Sequence, residues 1–389
     1  MSFTGSSSLR SSGEKFTAGA LAYLKSIRLN ADLPSASISG RIEGLDELRG
    51  IATLWVLISH GTGLVTWMPT VFSGYGFHGV VLFFVVSGYL ITKILLGASE
   101  RKESISNFYI RRAIRIWPLM LTVLLVGCYL RVSTSGSIVY NFLLINNFSM
   151  GYEIEPVFRT DVMWSLAIEE QFYLLWPMIV YVFGRRYLPF VVFSVIVVGF
   201  ALDAGLLPGP AGIPISRTTQ GCMQYIALGA AVALGRQGLV SVVGALLAIL
   251  VALIFRDGHH FFEKFRYVWW GISIFLFSIV YTTIHVRPVV KSQFLAFTGK
   301  ICYGLYLIHF FVSGLLFDKM GPGLFLTWIV FVASSYILAY MSFHIIEKPA
   351  MRLRAPLEAS PKAQMLLLAA VVALFIGSAV VVVSRLAHS

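Results

Sequence analysis

Eleven apolar stretches of helix length divide this chain, and a soluble fold has no interior large enough to take them. They lie near residues 48–66, 76–97, 113–131, 162–183, 188–203, 217–234, 239–255, 267–285, 298–317, 324–344 and 365–384. About 20 mainly apolar residues cross the hydrocarbon layer as one helix. In lipid each backbone polar group must be bonded inside its own segment, which leaves helices or closed barrels. Segments this long and this apolar predict the all-α solution. The expected fold is a polytopic membrane helical bundle of about ten core transmembrane helices plus one extra C-terminal helix.

Composition agrees. Of 389 residues 57% are hydrophobic and only 12% charged, with a mean hydropathy of +0.81. A soluble domain carries about 25% charged residues. A soluble enzyme, a disordered chain and a disulfide-rich scaffold are therefore excluded. Cys128, Cys222 and Cys302 each sit inside an apolar run without metal-ligand spacing, so neither a disulfide nor a metal site is expected. The net charge of +12 would suggest nucleic acid in a soluble protein. Here the basic residues gather in short loops between apolar runs, so the lipid bilayer is the expected partner and nucleic acid is not.

Those loops orient the chain. With the amino terminus in the cytoplasm, 22 of the 30 Lys and Arg residues fall inside, as the positive-inside rule requires. Residues 1–43 then read as a cytoplasmic tail, 44–350 as the membrane domain, and 351–389 as a cytoplasmic linker with the extra helix. Residues 1–15 are Ser-rich and lack an apolar signal core, so no cleavable leader is expected. Residues 16–28 fit either a short amphipathic surface helix or a loose tail.

Ionisable groups inside a membrane are costly, so each is a functional candidate. Arg49 opens the first span and His60 follows eleven positions later. Eleven steps of 100° return His60 to within about 20° of Arg49 on the helix face, roughly 16 Å further along. A structural histidine bonded to a neighbouring helix is one reading, and the face shared with Arg49 favours the functional one. Arg111, Arg112 and Arg115 lie at i, i+1 and i+4 at the start of the third span, where all three guanidiniums are expected to converge. Membrane anchoring explains the first two but not Arg115, which sits deeper between Ile114 and Ile116. Such a cluster suits a polyanion carrying phosphates. Ser165, Glu169 and Tyr173 share one face of the fourth span, with Glu170 beside them. Tyr303 and His309 add a polar face to a later span, and Glu347 closes the tenth near enough, in this reading, to neutralise one arginine of the cluster.

In order along the chain, these residues resemble the acyltransferase-3 family of integral-membrane acyltransferases. Arg49 and His60 match its arginine, ten residues, histidine signature. Phe83-Phe84-Val85-Val86-Ser87-Gly88-Tyr89-Leu90-Ile91 matches a second motif, with Tyr89 in place of Phe. The three arginines match a third, and Trp164-Ser165-Leu166 with Glu169, Phe172 and Tyr173 a fourth. Tyr303, Tyr306, Leu307 and His309, then Glu347 and Pro349, match the carboxyl-terminal motifs, with Cys302 where the family usually has Ser.

The resemblance spans about 44–350. It implies acyl transfer from cytoplasmic acyl-CoA, commonly acetyl-CoA, to a hydroxyl of a saccharide or glycolipid at the cell surface, by an enzyme of the bacterial inner membrane. A fused hydrolase-like domain, frequent in the family, is not expected in this chain. The expected catalytic residues are His60 as general base, Arg49 and Glu169. The donor-binding residues are Arg111, Arg112 and Arg115. Ser87, Trp164, Ser165, Glu170, Tyr173, Tyr303, His309 and Glu347 are expected to support the site or line its acceptor side. An acyl-histidine intermediate, a glycolipid flippase lined by the same charges, and an inactive interaction protein are the competing readings.

Overall fold

The computed structural model describes residues 42–62, 76–129, 142–149, 162–208, 218–257, 266–320 and 325–386. The surface helix considered for 16–28 lies outside the described residues. Regular structure among the described residues is helical throughout: α1 (Leu45–Gly61), α2 (Gly76–Glu100), α3 (Ile105–Tyr129), α4 (Asn146–Ser149), α5 (Met163–Asp203), α6 (Thr219–Ala233), α7 (Arg236–Asp257), α8 (Arg266–His285), α9 (Gln293–Lys300), α10 (Cys302–Met320), α11 (Phe325–Ser342), a π-helical turn (Phe343–Glu347), α12 (Lys348–Arg352), α13 (Arg354–Glu358) and α14 (Pro361–Leu386). The described residues of every apolar stretch read from the sequence fall on these helices, that at 298–317 on two of them. By length and apolar composition four helical stretches among the described residues can cross a bilayer: α2, α5, most of α7, and α11 with its continuation to Glu358. Counted as one broken span, the bent pair α9–α10 makes a fifth. The chain is a multi-pass membrane protein.

Two stretches differ from the sequence reading in an informative way. The segments at 162–183 and 188–203 belong to one 41-residue element, broken at Gly184 (φ 57°, ψ −178°). At 1.5 Å per residue an unbroken helix of that size would run to roughly 60 Å, twice the hydrocarbon core. A residue without Cβ takes the positive φ that lets the chain turn. Arg185 and Arg186 follow in the turn, and Pro189 opens the second limb. The stretch at 298–317 is interrupted by a 76° bend between α9 and α10. Ser292 caps α9, its Oγ accepting from the Leu295 amide.

Small residues set the central packing. A Cβ on Gly88 of α2 would run into the Ile226 carbonyl of α6, and one on Gly229 of α6 into the Val85 carbonyl of α2. The two helices therefore touch backbone to backbone, the close approach that small residues allow in membranes. One turn further along α2, Trp176 Nε1 donates to Thr92 Oγ1 at 2.8 Å and ties α5 in. Tyr89, Phe84, Trp176 and Phe200 are buried in this core. With α2, α5 and α6 locked together, α1, α3 and α10 close a polar pocket against them.

Candidate active site

The pocket is lined by polar groups from five helices: Arg49 (α1), Ser87 (α2), Arg112 and Arg115 (α3), Ser165, Glu169 and Tyr173 (α5), and Cys302, Tyr303 and Tyr306 (α10). Val80, Phe83, Phe84, Ile116 and Leu166 supply its apolar wall. Its free volume of about 90 Å³ holds several waters or one phosphoryl-sized group. Ser87 lies near the middle of α2, so the pocket sits deep in the bundle.

Glu169 is the best-held group. Ser87 Oγ donates to its Oε1 at 2.8 Å, and Tyr173 OH donates to its Oε2 at 3.2 Å. The i, i+4 spacing of Glu169 and Tyr173 makes the second bond. Ser165, one turn earlier, hydrogen-bonds the Tyr306 hydroxyl, which donates to the Val162 carbonyl at 2.9 Å. Tyr303 OH donates to the Ile116 carbonyl at 2.6 Å and fastens α10 to α3. The face predicted for Ser165, Glu169 and Tyr173 is thus the face that lines the pocket.

The arginines divide, which corrects the convergence expected of them. The Arg112 guanidinium lies 5.0 Å from the Tyr173 ring centre and 5.6 Å from that of Phe108, the geometry of a cation over an aromatic face. Arg115 enters the same pocket. Arg111 does not: its Nε meets Glu358 Oε1 at 2.6 Å and its Nη2 meets Glu103 Oε2 at 3.4 Å. One helical step from Arg111 to Arg112 is 100°, enough to send neighbouring side chains to different faces. The third guanidinium of the pocket is Arg49, from another helix.

Arg111 instead belongs to a network at the end of the bundle. Glu358 also meets Arg354 Nε at 2.8 Å, and Ser106 Oγ donates to Gln364 Oε1 at 2.9 Å. These contacts join α13 and α14 to the start of α3. Arg101 donates to Glu103 Oε1 at 2.6 Å. That bond, with charge from Arg101 and Arg111 outweighing partial burial, holds the Glu103 carboxyl below its usual range.

His60 and His309 form a separate pair. His60 Nδ1 and His309 Nε2 are 2.9 Å apart, and Phe310 packs edge-on against His60. Arg49 and His60 both stand against α10, as their shared face implies. They do so at two levels: Arg49 lines the pocket beside Cys302, and His60 meets His309 seven residues further along α10. Tyr306 bridges the levels, lining the pocket while its ring lies 5.9 Å from that of His309.

Three other expected residues lie off the pocket lining. Trp164 packs parallel to Phe77 at 6.2 Å. Glu170, beside Glu169 but turned by one helical step, is buried, and its Oε1 finds no hydrogen-bond partner among the described residues. Glu347 is buried in the π-helical turn, a feature common at functional sites. A Cβ on Gly304 would lie 3.3 Å from Glu347 Oε1, which places this carboxylate against the same turn of α10 that carries Cys302, Tyr303 and Tyr306 into the pocket. Tyr306 and Cys302 line the pocket without having been assigned a role. Tyr306 was within reach, because Tyr303, Tyr306 and His309 recur every three residues along one side of a helix. Cys222 and Cys302 are buried thiols outside any disulfide among the described residues.

The arrangement offers three cations and one hydrogen-bonded carboxylate in one small cavity, with a histidine pair beyond it. Among proteins of known kind, the peptidoglycan O-acetyltransferase OatA of Listeria monocytogenes is 26% identical over 353 residues, covering 79% of this chain and 55% of its own length. A putative peptidoglycan O-acetyltransferase, YrhL, of Bacillus subtilis is 27% identical over 355 residues, with 79% and 54% covered. A putative O-acetyltransferase of Staphylococcus aureus is 27% identical over 351 residues, with 79% and 57% covered. The chain thus spans about half the length of the curated relatives it matches. No solved structure matches. The family model described as "Acyltransferase domain" matches residues 42–344, from the start of α1 into the π-helical turn. The chain therefore belongs to the acyltransferase-3 family.

Proposed function

We propose that the protein moves an acyl group, by preference acetyl, from acyl-CoA on the cytoplasmic side to a hydroxyl of a cell-surface or secreted saccharide. In this reading ten core spans and the extra helix cross a bacterial inner membrane, with the amino terminus in the cytoplasm. The observation that carries the donor side is the pocket's charge. Among its lining residues Arg49, Arg112 and Arg115 stand with one carboxylate, Glu169, and Arg49 also meets Asp46 at 3.9 Å outside the lining; the remaining surplus suits an anionic donor. Arg112 and Arg115 hold the phosphates of the donor; Arg111, committed to Glu103 and Glu358, does not. Acyl-CoA supplies the activated thioester.

His60 removes the proton of the acceptor hydroxyl as general base, a role for which imidazole is suited near neutral pH. Arg49 orients the acyl carbonyl and stabilises the charge that develops on its oxygen. Glu169, held by Ser87 and Tyr173, keeps the arginines in place. The names of the relatives support a glycan acceptor.

The test is purified protein in nanodiscs with labelled acetyl-CoA and cell-wall or capsular glycan. Free CoA thiol and O-acetylated glycan, read by mass spectrometry, are expected together. His60→Gln is expected to lose about 10²–10⁴ in rate while still binding acetyl-CoA. Near-wild-type turnover in that variant would remove His60 as the base. No thioester consumption, with altered sidedness of a glycolipid, would make the protein a transporter.

A further inference from the structure

His60 and His309 come from helices 249 residues apart in sequence, and their geometry decides where the protons are. The rings are nearly parallel, at 17°, with centres 5.1 Å apart. A ring nitrogen lies about 1.2 Å from its ring centre, so an in-line bond of 2.9 Å puts two centres about 5.2 Å apart. The observed spacing is therefore that of two imidazoles meeting edge to edge through one N–H···N bond, not of two stacked faces. His309 Nδ1 lies 2.9 Å from the Leu305 carbonyl oxygen. A carbonyl only accepts, so Nδ1 of His309 carries a hydrogen. In the neutral ring Nε2 of His309 is then the acceptor. The bond to His60 has to be filled from the other side, by a hydrogen on His60 Nδ1. That leaves Nε2 as the basic nitrogen of His60.

We infer that His309 is a positioning residue for the transfer reaction, fixing His60 in the tautomer whose Nε2 takes the acceptor proton. The inference rests on His60 being the general base proposed above. The chain of partners runs from the Leu305 carbonyl through His309 to His60, with one hydrogen in each link. Such a chain sets both the tautomer and the ring orientation of the base. His309 is 1% exposed and sits on a helix, so its ring is a fixed acceptor. In the transfer the hydroxyl proton goes to His60 Nε2, the new C–O bond forms, the C–S bond breaks, and the proton passes to the departing thiolate. Throughout, the hydrogen on His60 Nδ1 stays bonded to His309 Nε2, which also stabilises the transient positive charge on His60.

The experiment combines spectroscopy with two variants of similar size. Protein labelled with ¹⁵N-histidine is placed in nanodiscs, and the His60 signals are identified by their loss in His60→Asn. Wild type is expected to show His60 protonated at Nδ1 and bare at Nε2. His309→Leu, which removes the acceptor, is expected to shift or average that signature. It should lower kcat by roughly 10²–10³-fold with the KM for acetyl-CoA within about twofold. His309→Gln returns an oxygen acceptor near the Nε2 position and should keep both the signature and kcat to within about tenfold of wild type.

A wild-type His60 protonated at Nε2, or at both nitrogens, overturns the inference. So does a His309→Leu protein that keeps the signature or more than half of its kcat, or a His309→Gln protein as impaired as His309→Leu. If His309→Leu does not fold, the wild-type spectrum and the Gln variant still decide. The spectrum needs neither acceptor nor turnover, so it stands or falls apart from the identity of the base, which His60→Gln tests by rate alone.

Discussion

Ser87 Oγ on α2 donates a 2.8 Å hydrogen bond to Glu169 Oε1 on α5, and the same carboxylate takes its second bond from Tyr173. A membrane-embedded carboxylate facing three arginines is thereby fixed in one orientation. A hydrogen bond to a charged group contributes about 1.5–3 kcal/mol. Ser87→Ala is expected to lower transfer by about tenfold or more at unchanged protein level. Glu169→Gln keeps the shape but removes the charge and should cost more, because Arg49, Arg112 and Arg115 then line the pocket with no carboxylate among its lining residues, Asp46 meeting Arg49 outside it at 3.9 Å. Initial rates on purified protein check both. An Ser87→Ala rate equal to wild type would mean that Tyr173 alone holds the carboxylate.

The split among the arginines separates donor binding from architecture. Arg115→Ala should weaken acetyl-CoA binding at least tenfold by calorimetry, and Arg115→Lys should recover only part, since the paired geometry of a guanidinium on phosphate is lost. Arg111→Ala should leave that affinity unchanged. Its effect belongs to the attachment of α13 and α14, where a double-mutant cycle with Glu358→Ala should give a coupling of about 1 kcal/mol, near the upper end for partly exposed pairs. Equal donor affinity in wild type and Arg115→Ala would remove Arg115 from the donor site.

The contact between α2 and α6 leaves no space for a methyl group. Gly88→Ala pushes a Cβ onto the Ile226 carbonyl and should cost about 2 kcal/mol or more, because neither backbone can yield alone. Gly271→Ala on α8 meets nothing within 4 Å, and should be neutral or stabilising by the helix propensity of alanine, about 1 kcal/mol at most. Thermal unfolding in detergent compares the two, and equal midpoints would refute the packing argument.

Acid should loosen the network around Arg111. The Arg101 hydrogen bond holds the Glu103 carboxyl below its ordinary value. A carboxyl depressed in the folded state contributes stability that is fully present above its unfolded pKa, near 4.3, and is lost as pH falls through the folded value. The stabilisation should be flat from pH 7 to about 5 and decline below that. Arg101→Ala should reduce the decline. Melting curves from pH 7 to 3 on both proteins make the comparison, and parallel curves would show that Glu103 is not the group responsible.

How much of this was legible in the chain depends on the range over which each feature acts. Apolar segments and their helical form follow from local hydropathy, and the described residues of the expected spans fall on helices. The face shared by Ser165, Glu169 and Tyr173, and that shared by Arg49 and His60, follow from a period of 3.6 residues. The same period carried a warning about Arg111 and Arg112, which are one step apart and go to different partners. Glu358, which takes Arg111, lies 247 residues away and left no local mark.

Sequence by itself determined that this chain is a membrane bundle of apolar helices, which residues carry charge into it, and which face of its own helix each occupies. Tertiary structure alone decided which faces meet. It kinked α5 at Gly184, bent α9 from α10, joined Arg49 to Arg112 and Arg115, and set His309 against His60. The physical reason is that a helix specifies the direction of a side chain about its own axis through local backbone geometry. The neighbour in that direction is chosen by backbone approach at positions such as Gly88 and Gly229, and by hydrogen bonds between segments far apart in the chain.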